Sequence, residues 1–297
     1  MYNGIINIYK EKGFTSHDVV AKMRGICKQK KIGHTGTLDP DAVGVLPVCL
    51  GSGTKLCDML TDKDKEYVAE LLLGKKTDTQ DVTGQVLKEH PVNCTEEEVR
   101  QAIMSFVGDY MQIPPMYSAL KVDGKKLYEL ARAGKEVERQ ARPVKILGIE
   151  ILEVNLPAVR MRVECSKGTY IRTLCHDIGQ KLGCGGTMQS LVRTKVGIFK
   201  LENAITLAEL EQLRDEDRID EKLYAVDSIF GECPVLHAKE EAIRLLENGN
   251  SFYPNQMEEK KTYPSGQWVR VYGKERFFGI YAYDSETRRY KPVKMFL

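Results

Sequence analysis

The chain has 297 residues, of which 42% are hydrophobic and 29% are charged, and its net charge is only +2. This length suggests about two domains, each with its own core, and the small net charge means that binding to nucleic acid would need a local basic surface. The first residues lack the apolar run of a signal peptide, and no segment approaches the ~18 apolar residues of a membrane span, so we expect a cytoplasmic protein.

The predicted elements alternate between strands and helices without an internal repeat. Residues 3–9 are typical of a strand, and the helix that begins at Thr15 carries apolar residues at helical spacing. The next predicted elements are a strand at 66–73, a helix with the capping box Thr95 and Glu98, an alternating strand at 159–165, a helix at 171–182 and a helix with the capping box Thr206 and Glu209.

The last third of the sequence indicates a change of domain. Residues 214–222 are almost entirely charged, which is typical of a solvated helix end or loop, and Gly-Glu-Cys-Pro at 231–234 resembles a boundary. A short helix at 240–247 and strands rich in Tyr, Phe and Val from residue 267 onward follow it. We therefore predict a large mixed α/β domain at residues 1–231 and a small β-rich domain at 232–297.

One carboxylate stands out at residues 33–40, Gly-His-Thr-Gly-Thr-Leu-Asp-Pro. Pro40 fixes its own φ and pushes Asp39 toward extended geometry, so this aspartate does not continue a helix. An isolated Asp-Pro is usually a simple turn. Here the turn is long, polar and followed by an apolar run at 43–50, and a polar turn anchored on a buried strand is a common position for a catalytic residue.

Arg172 is a candidate partner of that aspartate. It falls in the first turn of the predicted helix at 171–182, where a cation is mildly unfavourable because the helix N-terminus is partly positive. A surface position is the ordinary interpretation, but a carboxylate partner would explain the placement. If Arg172 pairs with Asp39, we expect the arginine to lower the pKa of Asp39, keep it ionised and orient its oxygens.

Two further segments indicate contacts with a nucleic acid. Tyr67 begins a strand beside a charged run; it would ordinarily be a packing residue, but it could also be a platform for a planar base. The segment 112–145 is interleaved with tyrosines, and between residues 121 and 145 it has eight Lys or Arg against four Asp or Glu. A basic insertion of this kind suits a grip on a phosphate backbone.

Other chemistries find little support in the sequence. The eight cysteines are scattered without a Cys-x-x-Cys pair, and only His176 beside Cys175 comes near a zinc-ligand cluster. Gly-Ser-Gly-Thr-Lys at 51–55 lacks the spacing of a phosphate-binding loop. Asp39 and Asp41 resemble the paired aspartates of a magnesium-dependent phosphatase, but the apolar strand that should precede the first one is missing.

Taken together, these segments resemble the bacterial tRNA pseudouridine synthase B family, which isomerises uridine 55 in the T-loop of tRNA. The matching segments appear in the family's order at residues 12–18, 33–44, 65–84, 112–132, 166–174 and 191–193, and they cover about the first 230 residues. The C-terminal module resembles the family's RNA-binding domain only weakly. One departure is Glu11, where the family commonly has proline.

The resemblance implies a fold and a role for each matching residue. The fold would be a pseudouridine-synthase α/β fold, with a central mixed, largely antiparallel sheet flanked by helices, followed by a small PUA-like domain. Asp39 would be the essential carboxylate, Arg172 its partner and Leu191 part of the pocket wall. Tyr67 would stack on the target base and assist proton transfer. His34 would sit where the flipped nucleotide left the stack, and Lys12 and the basic insertion would touch the tRNA backbone.

The implied reaction breaks the N1–C1′ bond, turns the uracil and rejoins it through C5. Asp39 could add to C1′, add to C6 or remove the C2′ proton, and the sequence does not choose among these routes. The reaction oxidises nothing and transfers no phosphate, so we expect no cofactor and no metal. The expected partner is the T-stem-loop of tRNA, with no membrane, and the protein is expected to be a monomer. The alternative is a non-catalytic tRNA-binding or tRNA-folding protein on the same scaffold.

Overall fold

The computed structural model describes residues 1–122 and 124–297; Asp123, in the basic insertion, lies outside the described residues. The strands are β1 (Gly4–Lys10), β2 (Ile32–His34), β3 (Val43–Leu50), β4 (Lys65–Leu73), β5 (Lys75–Thr77), β6 (Val86–Glu89), β7 (Gly108–Gln112), β8 (Lys121–Val122), β9 (Lys125–Lys126), β10 (Arg142–Asn155), β11 (Ala158–Cys165), β12 (Gly186–Val196), β13 (Phe199–Lys200), β14 (Leu223–Tyr224), β15 (Val235–His237), β16 (Trp268–Gly273), β17 (Arg276–Asp284) and β18 (Arg289–Met295). The α-helices are α1 (Ser16–Ile26), α2 (Cys57–Thr61), α3 (Glu96–Met104), α4 (Leu127–Arg132), α5 (Ile171–Lys181), α6 (Leu207–Asp215) and α7 (Ile243–Glu247).

A ten-stranded sheet forms the centre of the first part of the chain, and its main path runs β14-β1-β3-β12-β4-β11-β10-β7. Its strand pairs are antiparallel except for β3 and β12, which run parallel through Val43 and Val192. The expected mixed, largely antiparallel sheet is therefore confirmed.

Two hydrophobic cores cover different parts of this sheet. Helices α1 and α6 pack their apolar residues against β1 and β3, whereas α3 and α5 pack against β4, β10, β11 and β12. The alternation predicted for residues 159–165 is present in β11, where Val159, Met161 and Val163 are fully buried. Because the two cores lie on either side of the β3–β12 junction, polar loops at that junction are left between them.

The C-terminal residues form a separate four-stranded sheet in the order β15-β16-β17-β18. This sheet has its own core around Phe252, Val271 and Tyr290. A further apolar cluster joins it to the first part of the chain, with Ile280 and Phe296 on one side and Leu56 and Phe230 on the other. None of the helices in the described ranges is both long and apolar enough to cross a lipid bilayer.

Candidate active site

Asp39 lies on the loop at residues 35–42, which connects β2 to β3 and is fastened to the start of α1. The hydroxyl of Ser16 accepts a hydrogen bond from the Leu38 amide at 2.9 Å, and the Gly13 amide donates to the Pro40 carbonyl at 2.9 Å. Thr15 caps α1 with a complete capping box, so the position of Ser16 is fixed by the helix itself. The loop is therefore rigidly placed although it has no regular secondary structure.

Lys10, the last residue of β1, binds the same loop through its ammonium group. Its side chain is fully buried at the end of β1, and its ammonium donates to the carbonyls of Glu11, Pro40 and Ala42 at 3.1, 3.0 and 2.6 Å. Burial lowers the pKa of Lys10 to about 8, against the opposing effect of Asp39 and Asp41. The lysine thus holds the part of the loop that follows Asp39 through its backbone carbonyls.

Arg193, on β12, holds the first half of the loop. Its guanidinium is buried and donates to the Val45 carbonyl at 2.7 Å and, over longer distances, to the carbonyls of Thr37 and Gly36. This approach needs glycine at position 44, where φ is +108° and a Cβ would lie 2.3 Å from the Arg193 carbonyl oxygen.

Arg172 faces Asp39 from the first turn of α5. Its Nε lies 2.9 Å from Asp39 Oδ2, and its Nη2 donates to Asp39 Oδ1 at 3.2 Å, so the pair is bidentate. The same guanidinium donates to the carbonyls of Thr79 at 3.0 Å and Tyr117 at 2.8 Å. With a 5% exposed side chain and acceptors on three segments, it has one available orientation.

Asp81 completes this network from the turn between β5 and β6. Its Oδ2 lies 3.8 Å from Arg172 Nη1, and its other oxygen accepts from Thr79 Oγ1 at 2.8 Å and from Thr83. Asp81 is thereby oriented toward the arginine from the side opposite to Asp39.

Arg172 lowers the pKa of Asp39 as expected, but the net shift of that pKa is upward. Burial raises the pKa of Asp39 above the usual value for aspartate, the charge of Arg172 offsets only part of this, and Asp81 raises it further. The sequence indicated Arg172 as the partner of Asp39 but not the desolvation of Asp39. That desolvation depends on how the loop at residues 35–42 lies between the two hydrophobic cores.

Asp39 and Arg172 open into a cavity of about 600 Å³. Tyr67 and Leu191 form part of its wall, each 8% exposed, together with Pro114, Ser118 and Ile171. Burial raises the pKa of Tyr67, while the nearby Arg193 acts in the opposite direction, so the phenol is the form present at neutral pH. The cavity thus combines one carboxylate with an aromatic ring and apolar surfaces, which suits a planar, weakly polar ligand.

Two of the predicted site residues lie outside the cavity wall. His34, on β2, accepts a hydrogen bond from the Gly36 amide at 3.3 Å, and its ring meets the edge of His17 at 5.1 Å between centroids. Lys12 is exposed, and its ammonium lies 3.9 Å from Asp41. Their suggested contacts with RNA remain predictions.

The basic insertion covers one side of the cavity with Pro114, Leu120 and Arg142. Its base is tied to α5, since Gln112 exchanges two hydrogen bonds with the backbone of Tyr170, at 2.8 and 3.0 Å. In its outer part, Lys126 and Arg132 lie against the ring of Tyr128. Cations and an aromatic ring therefore share a surface next to the cavity.

Four charged residues of the site received no role from the sequence alone: Lys10, Lys65, Asp81 and Arg193. The spacing of Leu191 and Arg193 was a usable signal, because residues two apart on a strand share a face. Lys10 is the last residue of β1 and Lys65 is the first residue of β4. A lysine at the end of an apolar strand ordinarily extends its ammonium into solvent, so nothing in the sequence indicated that these two are buried. No group of three His, Cys, Asp or Glu side chains suited to hold a metal occurs within residues 1–122 and 124–297.

Comparison with known proteins places this site in a family. Residues 24–171 match the model "TruB family pseudouridylate synthase (N terminal domain)", and residues 172–230 match "tRNA pseudouridylate synthase B C-terminal domain". The chain is 54% identical to a protein named tRNA pseudouridine synthase B from Lachnoclostridium phytofermentans, over 99% of this chain and 100% of that protein. The chain belongs to the TruB family of pseudouridylate synthases. The resemblance inferred from the motifs is confirmed.

Further TruB-family relatives and solved structures agree. A tRNA pseudouridine synthase B from Alkaliphilus oremlandii is 46% identical over 99% of the chain and 97% of its own length. The structure described as "Crystal Structure of a Cbf5-Nop10-Gar1 Complex" superposes with a TM-score of 0.74 at 28% identity, covering 99% of this chain and 85% of that one. The structure of an "H/ACA RNP bound to a substrate RNA containing 2'-deoxyuridine" gives 0.73 at 26% identity, with the same coverage. The expected pseudouridine-synthase fold is confirmed.

Proposed function

We propose that this TruB-family enzyme isomerises uridine 55 in the T-loop of tRNA, with Asp39 as the essential carboxylate. The observation that carries the proposal is the bidentate Asp39–Arg172 pair at the wall of a cavity that also presents Tyr67. The names of the curated relatives supply the substrate class. A solved relative that binds a uridine analogue in RNA supports a nucleoside as the occupant of the cavity.

The reaction begins when the target nucleotide leaves the RNA loop, which costs a few kcal/mol. Tyr67 then stacks on the base and Leu191 supports the opposite side, which together exclude water. Asp39 acts in its ionised form, as a nucleophile at C1′ or C6 or as a base at C2′. Arg172 orients both carboxylate oxygens. The broken N1–C1′ bond is replaced by a bond from C5 to C1′, the C5 hydrogen leaves as a proton and N1 gains one. Any bond that Asp39 formed to the nucleotide breaks in the same sequence, and a proton that Asp39 took from C2′ returns there, so the carboxylate is regenerated.

The grip on tRNA comes from surfaces around the cavity. Lys12 and the basic insertion at 112–145 contact the phosphate backbone, and these contacts offset the free energy of base extrusion. His34 supports the opened loop of the RNA. Residues 1–231 form the catalytic domain, and the separate core of residues 232–297 supports a PUA-like RNA-binding domain there. The protein acts as a monomer and needs neither metal nor cofactor, since the reaction only rearranges bonds within one nucleotide.

The test is turnover of a T-stem-loop RNA that carries 5-tritiated uridine, without added metal. We expect tritium release by the wild type and a loss of at least roughly 10³-fold for Asp39→Asn, as for an essential nucleophile or base. RNA affinity should persist, since Arg172 keeps its bonds to the Thr79 and Tyr117 carbonyls.

Asp41→Asn is the matched control, because Asp41 is a half-exposed carboxylate two residues away. It should retain turnover. Full activity of Asp39→Asn would remove the catalytic assignment, and tight RNA binding without turnover by the wild type would favour the non-catalytic alternative.

A further inference from the structure

Two buried cations in the cavity wall lack a carboxylate partner. Lys65 is 8% exposed and Arg193 is 2% exposed, and both line the cavity with Asp39. Neither forms an ion pair with any carboxylate of the described residues, whereas Arg172 is bound to Asp39 and the exposed Lys167 to Asp62. The positive charge of Arg172 is therefore compensated by the Asp39 carboxylate, whereas among the described residues no paired carboxylate compensates the charges of Lys65 and Arg193.

Sheet register places these two cations on either side of Tyr67. Lys65 and Tyr67 are two residues apart on β4 and share the buried face of that strand. Arg193 on β12 is the direct cross-strand neighbour of Tyr67. A base stacked on Tyr67 would thus lie over a wall with two positive charges, while Asp39 approaches from the neighbouring loop.

This arrangement is unfavourable for the protein by itself. Among residues 1–122 and 124–297, the acceptors of Lys65 are two carbonyls, those of Thr61 at 2.5 Å and Lys63 at 2.6 Å. The charged and titratable groups around it are Arg193 on β12, Cys165 on β11, and Asp62 and Asp64 before β4; burial, reinforced by Arg193, lowers the pKa of Lys65 to about 8. Burying a charge without a paired counter-charge is destabilising. A negative charge that forms in the cavity during the reaction would compensate the charges of Lys65 and Arg193 and so remove this destabilisation.

The reaction creates such a charge on the base. When Asp39 attacks C1′ or removes the C2′ proton, the N1–C1′ electron pair goes to the uracil, which leaves as an anion delocalised over N1, O2 and O4. When Asp39 adds to C6, the electron pair of the C5–C6 double bond moves toward O4. We propose that Lys65 and Arg193 stabilise this anionic uracil until C5 rejoins C1′. The inference rests on the proposed function and adds the electrostatic part of its mechanism.

The first test is Lys65→Met in single-turnover reactions on a T-stem-loop. The expected result is a rate about 100-fold lower, the effect of losing one pre-organised donor to a developing anion, with RNA affinity nearly unchanged. Lys195→Met is the matched control: Lys195 lies on β12, outside the cavity wall, and has Glu164 at 3.6 Å as its partner. This control should keep the wild-type rate. A folded Lys65→Met with the wild-type rate overturns the inference.

The second test separates charge from packing. Above a pH of about 8, the wild-type rate should fall as Lys65 loses its proton, whereas Lys65→Arg keeps its charge and should lose this decline. Ionisation of the uracil affects both proteins equally. A folded but inactive Lys65→Arg overturns the inference, and so do identical alkaline pH profiles for the two proteins. If Lys65→Met does not fold, this comparison of the wild type with Lys65→Arg is the test of the inference.

A 5-fluorouridine substrate adds an independent measurement, because fluorine stabilises the uracil anion. Its rate of consumption relative to uridine should be larger in Lys65→Met than in the wild type, and an equal ratio contradicts the inference.

The outcomes for the proposed function and for the electrostatic inference are distinguishable. If the wild type forms no pseudouridine at all, the proposed function fails. If the wild type forms pseudouridine and the Lys65 variants behave like it, only the electrostatic inference fails.

Discussion

The Asp39–Arg172 pair shows how two opposing effects set the state of one carboxylate. The Asp39 side chain is only 39% exposed, and this partial burial raises its pKa, whereas the bidentate arginine opposes the shift with a fixed charge. The result is an aspartate whose net pKa is raised, beside a fixed positive charge that favours its ionised form. A less hydrated carboxylate is also the stronger base and nucleophile, so burial and pairing together favour the chemistry.

This balance predicts an acidic limit to activity. In the proposed mechanism Asp39 acts in its deprotonated form, so the rate should fall as pH decreases through its folded-state pKa, which lies above the usual value for aspartate. Asp81 raises that pKa further, so Asp81→Asn should move the acidic limit to lower pH. The measurement is the pH profile of single-turnover rates on a T-stem-loop for both proteins.

Asp81→Asn should also lower the rate at neutral pH, because Arg172 loses one of its two carboxylate neighbours. The direction of the pH shift is the diagnostic result, since general loosening of the site would not move the limit toward acid. A limit that stays in place or moves to higher pH would contradict the assigned cause.

The sequence predicted the pairing of Asp39 with Arg172 but not the environment of this pair. Asp39 was recognisable from its glycine-rich turn and Pro40, and Arg172 from its unfavourable position in a helix first turn. The roles of Lys10 and Arg193 were not recognisable, because each depends on carbonyl groups from distant segments. Which carbonyls converge on a cation is decided by tertiary packing.

The helices and strands were largely predictable because their signals are local. The capping boxes at Thr95 and Thr206 are present, as is the helix that begins after Thr15. The parallel pairing of β3 with β12 was not predicted, because it joins segments about 150 residues apart and leaves no local pattern. That pairing brings Arg193 beside the Asp39 loop, so the least predictable element contact is the one that assembles the site.

The start of α1 should affect catalysis through the helix cap. Thr15→Ala removes the cap of α1 and Thr95→Ala removes the cap of α3, and each should lower the free energy of unfolding by about 1 kcal/mol. Of these two helices, α1 begins with Ser16, which binds the Asp39 loop, whereas α3 lies away from that loop. Thr15→Ala should therefore lower kcat several-fold, since small displacements of a catalytic group are costly.

Thr95→Ala is the control of equal stability loss, and its kcat should stay at the wild-type value. Urea unfolding measures the stability of both variants, and tritium release from a T-stem-loop measures kcat. Equal activity of the two variants would show that the loop does not depend on the start of α1.

The whole molecule consists of two β-rich units joined by an apolar interface. Phe230 is 5% exposed and lies at this interface, with the rings of Phe296, Phe277 and Trp268 at 6.1, 6.3 and 6.3 Å between centroids. Lys55 adds polar contacts to the Met295 and Leu297 carbonyls, at 3.0 and 3.2 Å. These contacts hold the C-terminal unit in one orientation relative to the active site, which matters for a substrate as large as a tRNA.

Phe230→Ala should therefore weaken the interaction with whole tRNA more than the reaction itself. Replacing a buried phenylalanine by alanine lowers the free energy of unfolding by about 3–5 kcal/mol. Here the lost contacts belong to the interface between the two units rather than to either core. KM for full-length tRNA should rise, while kcat for an isolated T-stem-loop, which is too short to reach both units, should stay unchanged. An equal loss on both substrates would mean that the interface does not orient the C-terminal unit for tRNA.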